Sequence, residues 1–175
     1  MRDKETEYLI RKAKKRDPEA FTELMQSMLK DMYKVGLAIL MNDEDVADAV
    51  QDTILACWEK IHTLKQTRYF HTWITRILIN KCNDIQRKNK KLTVLEEYDE
   101  PVMEDKCNLE LKEALSTLQE KYRVLMILYY SEGYCIEEIA GLLNIPKSTI
   151  QTRLQRGRKK LAEYYQDNTE RRKNG

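Results

Sequence analysis

Apolar residues recur at helical spacing along almost the whole chain, and no other feature limits its fold so strongly. From Pro18 the residues Phe21, Leu24, Met25, Met28, Leu29, Met32, Val35 and Ile39 make one such stripe. Asp17 before Pro18 reads as an N-cap followed by proline at the first helical position. A second start lies at Asn42 to Asp45, with acids in the first turn. Val46, Val50, Ile54, Cys57, Trp58 and Ile61 give that helix an apolar face. A polar loop follows, His62 to Tyr69. A third helix starts near Phe70 and runs to about Asn89, with Phe70, Trp73, Ile74, Ile77, Leu78 and Ile85 inward. These pieces predict one helical domain over residues 1–90.

The period fades in "KLTVLEEYDEPVMEDKC", residues 91–107, which reads as a flexible acidic linker. It resumes at Leu109, and "LSTLQEKYRVLMILYYSEGY" predicts a short helix, a break and a strongly apolar helix. After a break at Gly133 comes a short helix, Ile136 to Leu143, and then "IPKSTIQTRLQRGRKKL". Residues 108–175 form a second small domain ending in a basic tail. No strand-like alternation is sustained, and there are only five Gly and three Pro. The fold class is therefore all-α: two small helical domains joined by a linker.

Composition narrows the function. The longest apolar run, Val124 to Tyr130, is too short to span a membrane, and "MRDKETEY" has no signal-peptide core. The four cysteines lack metal or redox spacing and read as reduced thiols of a cytoplasmic protein. His62 and His71 are the two histidines, which makes a His-based metal site improbable. No nucleophile–base pair, glycine-rich phosphate loop or ligand cluster is legible. The reading therefore calls for no catalytic residues, no metal, no cofactor and no small-molecule substrate.

Charge is segregated even though 31 basic residues nearly balance 29 acidic ones. Asn42 to His62 holds six acids and one base, and Lys65 to Lys91 holds eight bases and one acid. Such blocks mark surfaces for different partners. "IPKSTIQTRLQRGRKKL" carries six bases and no acid. Asn144 can supply a left-handed turn, and Pro146 can help start the next helix. Ile150, Leu154, Gly157 and Leu161 share its inner face, while Ser148, Gln151, Thr152, Gln155, Arg156 and Lys159 face out. The preceding helix puts Ile136, Ile139, Ala140 and Leu143 on one side. Two short helices with a tight turn, the second basic outward, make a helix-turn-helix. Gln and Arg can contact base edges in the major groove, and Lys, Ser and Thr near the helix start can hold phosphates.

At this point the residues resemble a family. "YRVLMILYYSEGYCIEEIAGLLNIPKSTIQTRLQRGRKKL" is similar to the domain of extracytoplasmic-function sigma factors that reads the −35 promoter element. The likeness rests on Arg123, Gly133, Glu138, Ile139, Ala140, Ile145, Pro146, Thr149, Ile150, Arg153, Leu154, Arg156, Lys160 and Leu161. Asn144 departs from the family's frequent Gly, and Gly157 from its usual Ala. "DVADAVQDTILACW" resembles the family's polymerase-binding segment through Asp48, Val50, Gln51, Asp52 and Trp58, with Ile54 in place of the usual Phe. "FHTWITRILINKCNDIQRK" resembles its −10 region through Phe70, Trp73, Ile74, Arg76, Ile77, Asn80, Asp84 and Arg87. The likeness spans residues 8 to 165.

The resemblance implies a promoter-specificity subunit of RNA polymerase. Asp48, Gln51, Asp52 and Glu59 would meet the core enzyme. Lys65, Gln66, Thr67, Arg68 and Tyr69 would read an unpaired −10 base, beside a DNA-facing strip of Arg76, Asn80, Asn83 and Arg87. Trp73 fits core packing better than a melting wedge. Lys147, Ser148, Thr149, Gln151, Thr152, Arg153, Gln155, Arg156 and Lys159 would contact −35 duplex. The implied partners are core RNA polymerase, promoter DNA and an anti-sigma factor, which in the family is often membrane-bound and would tether this cytoplasmic chain. Promoter elements two helical turns apart lie on the order of 70 Å from each other. A linker of 17 residues extends roughly 55 Å, so the domains must separate to reach both. The alternative function is a stand-alone helix-turn-helix regulator that binds duplex DNA without polymerase.

Overall fold

A computed structural model describes residues 2–92 and 106–173. Most of the expected linker, residues 93–105, lies outside them. Lys91 and Leu92 still belong to the helix before it, and Lys106 and Cys107 to the helix after it. The described residues contain helices and helical turns and no strand. They fall into two compact units, Met1–Gly36 with Asn42–Glu96, and Leu37–Met41 with Glu97–Gly175.

The first unit is built on α1 (Arg2–Lys14), α2 (Pro18–Leu40) as far as Gly36, α3 (Asp43–Lys60) and α4 (Phe70–Leu92). Its boundaries follow local chemistry. Asp17 Oδ1 accepts the Ala20 N–H at 3.1 Å, which caps α2 ahead of Pro18. Asn42 Oδ1 accepts the Asp45 N–H at 3.0 Å and starts α3. Two single 3-10 turns, Ile61–Thr63 and Thr67–Tyr69, join α3 to α4. The two helices run antiparallel, since Asn89 near the end of α4 donates to Asp45 Oδ2 in the first turn of α3 at 2.8 Å.

Burial refines the expected stripes. In α2, Phe21, Leu24, Met25, Met28, Met32 and Val35 are buried as spaced, while Leu29 is exposed. In α4 the buried set is Phe70, Ile74, Thr75, Leu78, Ile79 and Cys82. Trp73, Ile77 and Ile85, expected inward, are only half-buried. The stripe is thus rotated to include Thr75, Ile79 and Cys82. In α3 the buried face is likewise narrow: Val46, Ala49, Thr53, Ala56 and Cys57. The buried Thr53 hydroxyl donates to the Ala49 carbonyl at 2.6 Å, so no polar atom is stranded there. Trp58 lies edge-on to Phe21 with ring centroids 4.8 Å apart.

Helix α1 has no counterpart among the sequence expectations. It carries only three buried apolar residues, Leu9, Ile10 and Ala13, too few to advertise a stripe amid charges. It is held by polar contacts instead. Lys14 Nζ donates to the Leu64 carbonyl at 2.6 Å. Arg16, in the turn after α1 at φ 68°, donates to the carbonyls of Trp58 and Glu59. A guanidinium at a helix C-terminus satisfies orphan carbonyls and suits the negative end of the helix dipole.

The second unit contains α5 (Lys106–Ser116), α6 (Glu120–Met126) running on through a wider π-type turn at Ile127–Ser131, α7 (Ile136–Leu143) and α8 (Lys147–Lys173). Gly133 takes φ 74° in the break before α7, a value L side chains avoid. Asn144 sits at φ 54°, ψ 47° and ends α7 in the left-handed region, as its side chain allows. Ile139 and Leu142 of α7 and Ile150 and Leu154 of α8 are buried. Helix α8 continues without a break to Lys173, so the described part of the expected basic tail is helical.

Candidate nucleic-acid and polymerase interfaces

In the second unit the outward face of α8 is built by default. Burying Ile150, Leu154 and Gly157 leaves Ser148, Gln151, Thr152, Gln155, Arg156 and Lys159 exposed, with Thr149 and Arg153 half-buried at the flanks. A cleft of about 360 Å³ is lined by Ser148, Thr149, Thr152, Arg153 and Arg156 of α8 together with Lys121 and Tyr122 of α6. The α6 pair was missed from sequence, because only the fold brings it to the start of α8. Burial pushes the Tyr122 phenol up, but Arg156 and Lys121 beside its oxygen draw it down, and the net shift is downward. Lys147 ion-pairs with Glu137 at 2.9 Å. The Thr152 hydroxyl donates back to the Ser148 carbonyl at 3.0 Å.

Helix α8 passes close to α6 at Gly157. A Cβ there would lie 3.1 Å from Met126 Sδ. The glycine that departs from the resembling family's alanine is thus matched to its neighbour.

In the first unit a larger open cleft, about 810 Å³, lies between α1 and the turn leading into α4. Its lining includes Lys65, Gln66, Thr67 and Arg68, four of the five residues expected to read an unpaired base. Tyr69 is exposed beside it, with the Arg68 guanidinium 4.6 Å from its ring centroid. His71 and the α1 residues Thr6, Glu7, Ile10, Arg11 and Lys14 complete the walls and were not foreseen. Along α4, Arg76, Asn80 and Arg87 are exposed and Asn83 is half-buried, with offsets of 4, 7 and 11 that keep them on one side. Arg87 also ion-pairs with Asp84 at 3.3 Å, both solvent-exposed, an interaction of little energetic weight. Half-buried Trp73 lies toward this strip, its ring 6.1 Å from Phe70.

The acidic helix offers a third surface. Asp48, Gln51, Asp52 and Glu59 are all exposed on α3. Among them stands Leu55, 64% exposed, which the sequence reading passed over. An apolar side chain ringed by acids has the composition of an interface centre with a polar rim.

Comparison with known proteins places these surfaces in context. Residues 24–92 match the Sigma-70 region 2 model and residues 108–161 the Sigma-70 region 4 model. The chain is 26% identical over 178 residues to the ECF RNA polymerase sigma factor SigW of Bacillus subtilis (strain 168), covering 90% of this chain and 95% of that protein. It is 30% identical over 135 residues to the RNA polymerase sigma factor SigV of the same organism, covering 74% and 81%. Among solved structures, CnrH in complex with the cytosolic domain of CnrY aligns with a TM-score of 0.69 at 24% identity, over 93% of this chain and 98% of that one. RpoE in complex with the anti-sigma factor NepR from Bartonella quintana aligns with a TM-score of 0.69 at 22% identity, over 83% and 96%. These two likenesses are of fold.

Proposed function

Since the chain belongs to the extracytoplasmic-function branch of the sigma-70 family, we infer that it binds core RNA polymerase and directs promoter-specific initiation. Sigma factors are transcription initiation factors, and no bond chemistry is assigned to this chain. The observation that carries the reading is the match of residues 24–92 to region 2 ahead of a region 4 match at 108–161. A stand-alone helix-turn-helix regulator has no use for the former.

The finer assignment follows the three surfaces. Residues 1–90 bind the polymerase and the melted −10 strand, residues 91–107 tether, and residues 108–175 hold −35 duplex. Gln151, Gln155 and Arg156 read base edges, where a bidentate pair discriminates by about 1–3 kcal/mol. Lys147, Ser148, Thr149, Thr152, Arg153 and Lys159 hold phosphates. The cleft with Lys65, Gln66, Thr67 and Arg68 seats an unpaired base, Tyr69 offers it a stacking face, and Arg76, Asn80, Asn83 and Arg87 follow the backbone. Melting is driven by the binding energy of the captured strand. Asp48, Gln51, Asp52 and Glu59, centred on Leu55, meet a basic surface of the core enzyme. An anti-sigma factor occludes these surfaces, a reading supported by the CnrH–CnrY and RpoE–NepR complexes of proteins sharing this fold. No described helix is long and apolar enough to cross a membrane, and the chain works in the cytoplasm, held at the membrane only through such a partner.

Transcription in vitro with core polymerase on a promoter library tests the whole reading. Initiation that depends on both the chain and the promoter sequence is expected, and none above core alone overturns it. Leu55→Asp tests the polymerase face. It should weaken core binding at least about tenfold, as expected for an interface centre, with −35 duplex affinity unchanged. Unaltered core binding would make this a solvated face.

A further inference from the structure

The cleft beside α1 contains a group that phosphate binding would not ask for. Among its lining residues are the cations Arg11, Lys14, Lys65 and Arg68, and one carboxylate, Glu7. For a DNA backbone alone, a carboxylate at the lip is a liability, since it repels phosphate. It is an asset if the occupant carries N–H donors.

The carboxylate is also posed. Arg11 Nη2 donates to Glu7 Oε1 at 2.6 Å, and the Thr67 hydroxyl donates to the same oxygen at 3.3 Å. Both bonds fall on Oε1. Among the described residues Oε2 has no such partner and remains to accept from a ligand. Lys14 is spent on the Leu64 carbonyl at 2.6 Å, which braces the loop that carries Thr67. The carboxylate is thus fixed from its own helix and from the opposite wall. The cleft's volume of about 810 Å³ falls in the range of roughly 300–1,000 Å³ typical of small-ligand sites.

We propose that Glu7 is a specificity determinant for the unpaired base, accepting a hydrogen bond from its exocyclic amine. Adenine, cytosine and guanine each carry such an amine. Thymine has carbonyl oxygens where an amine would be, and an oxygen facing a carboxylate is repelled. The α1 helix is therefore a selective wall of the cleft, and Arg11 and Thr67 are its positioning residues. The proposal rests on reading this cleft as the seat of an unpaired base.

The test uses the full chain with core polymerase, on a promoter chosen from the library. Fragments mismatched through the −10 segment leave the non-template bases unpaired, and each is varied in turn. Wild type should bind thymine at one position at least about tenfold more weakly than the best amine-bearing base, within the usual cost of a wrong contact. Glu7→Gln, whose amide can also donate to a thymine carbonyl, should reduce that ratio to about threefold or less while −35 affinity stays constant. Full discrimination retained in Glu7→Gln overturns the proposal. A second arm needs no variant: the preferred base is replaced by its analogue lacking the amine. A wild-type loss of about tenfold is expected, and a loss under about twofold overturns it. No preference at any unpaired position in wild type would defeat the base-seat reading, and the proposal with it. Preference that is indifferent to Glu7 and to the amine defeats the proposal alone.

Discussion

The two surfaces proposed to meet DNA are made in opposite ways. In the second unit the face comes from one unbroken helix, α8, aimed by the short α7 and an Asn144 turn. In the first unit the cleft is assembled from α1 and a loop 60 residues later, joined by such contacts as Thr67 to Glu7. A helix exposes whatever its buried stripe does not use, so the α8 face is dictated by sequence period. A cleft requires two segments to meet, and its second wall cannot be read from the first. The difference suits the two jobs proposed for them: a rigid rod fits a duplex groove, whereas an extruded base needs enclosure.

The largest expected effect isolates the rod. Arg156→Ala should weaken −35 duplex binding by about ten- to a hundredfold, from the loss of roughly 1–3 kcal/mol of base contact. Gln151→Ala should act in the same direction. Core-polymerase binding should change by less than about twofold in both, measured by parallel titrations against duplex and core enzyme. Equal loss of core binding would mean that α8 is structural and that the two surfaces are not independent.

Legibility followed the same division. The helix-turn-helix was visible down to its central turn, since the positive φ of Asn144 and the burial of Ile150 and Leu154 follow from turn chemistry and period. Lys65 to Arg68 stood out as a basic loop, but Glu7 and Arg11 did not, because α1 buries only Leu9, Ile10 and Ala13 and is fastened by polar contacts with no sequence period. Lys121 and Tyr122 were lost for the same reason: proximity to Arg156 is a tertiary fact. Leu55 was overlooked because it falls off the apolar stripe of its helix, and only its 64% exposure among the acids marks it.

Two glycines sharpen the comparison at the level of packing. A Cβ on Gly36 would lie 3.1 Å from Val46 Cγ1, and Val46 is buried and β-branched, with little freedom to yield. Gly36→Ala should therefore destabilise the first unit by about 1–3 kcal/mol, as overpacking does. A Cβ on Gly157 would lie 3.1 Å from Met126 Sδ, but that thioether is half-exposed and flexible. Gly157→Ala should recover helix propensity and be neutral to stabilising by up to about 1 kcal/mol. Hydrogen exchange resolved by unit would report both. A marked loss at Gly157→Ala would show that α6 and α8 are as tightly fitted as α2 and α3.

The smallest effect concerns the start of α8. Lys147 is paired with Glu137 across the helix-turn-helix at 2.9 Å, both more than half exposed, and its ammonium holds the Glu137 carboxyl below its ordinary range. An exposed pair of this kind contributes little to stability, and its acid partly cancels a charge on the surface proposed to meet DNA. Glu137→Gln should release Lys147 to a phosphate. Duplex affinity should then rise about twofold at low salt, and the slope of log affinity against log salt should steepen by roughly one unit, the signature of one added phosphate contact. Folding should be almost unaffected, because the carboxylate that caps α7 is Glu138, which accepts the Cys135 N–H at 2.9 Å. An unchanged slope would mean that Lys147 never reaches the backbone and that recognition begins at Ser148.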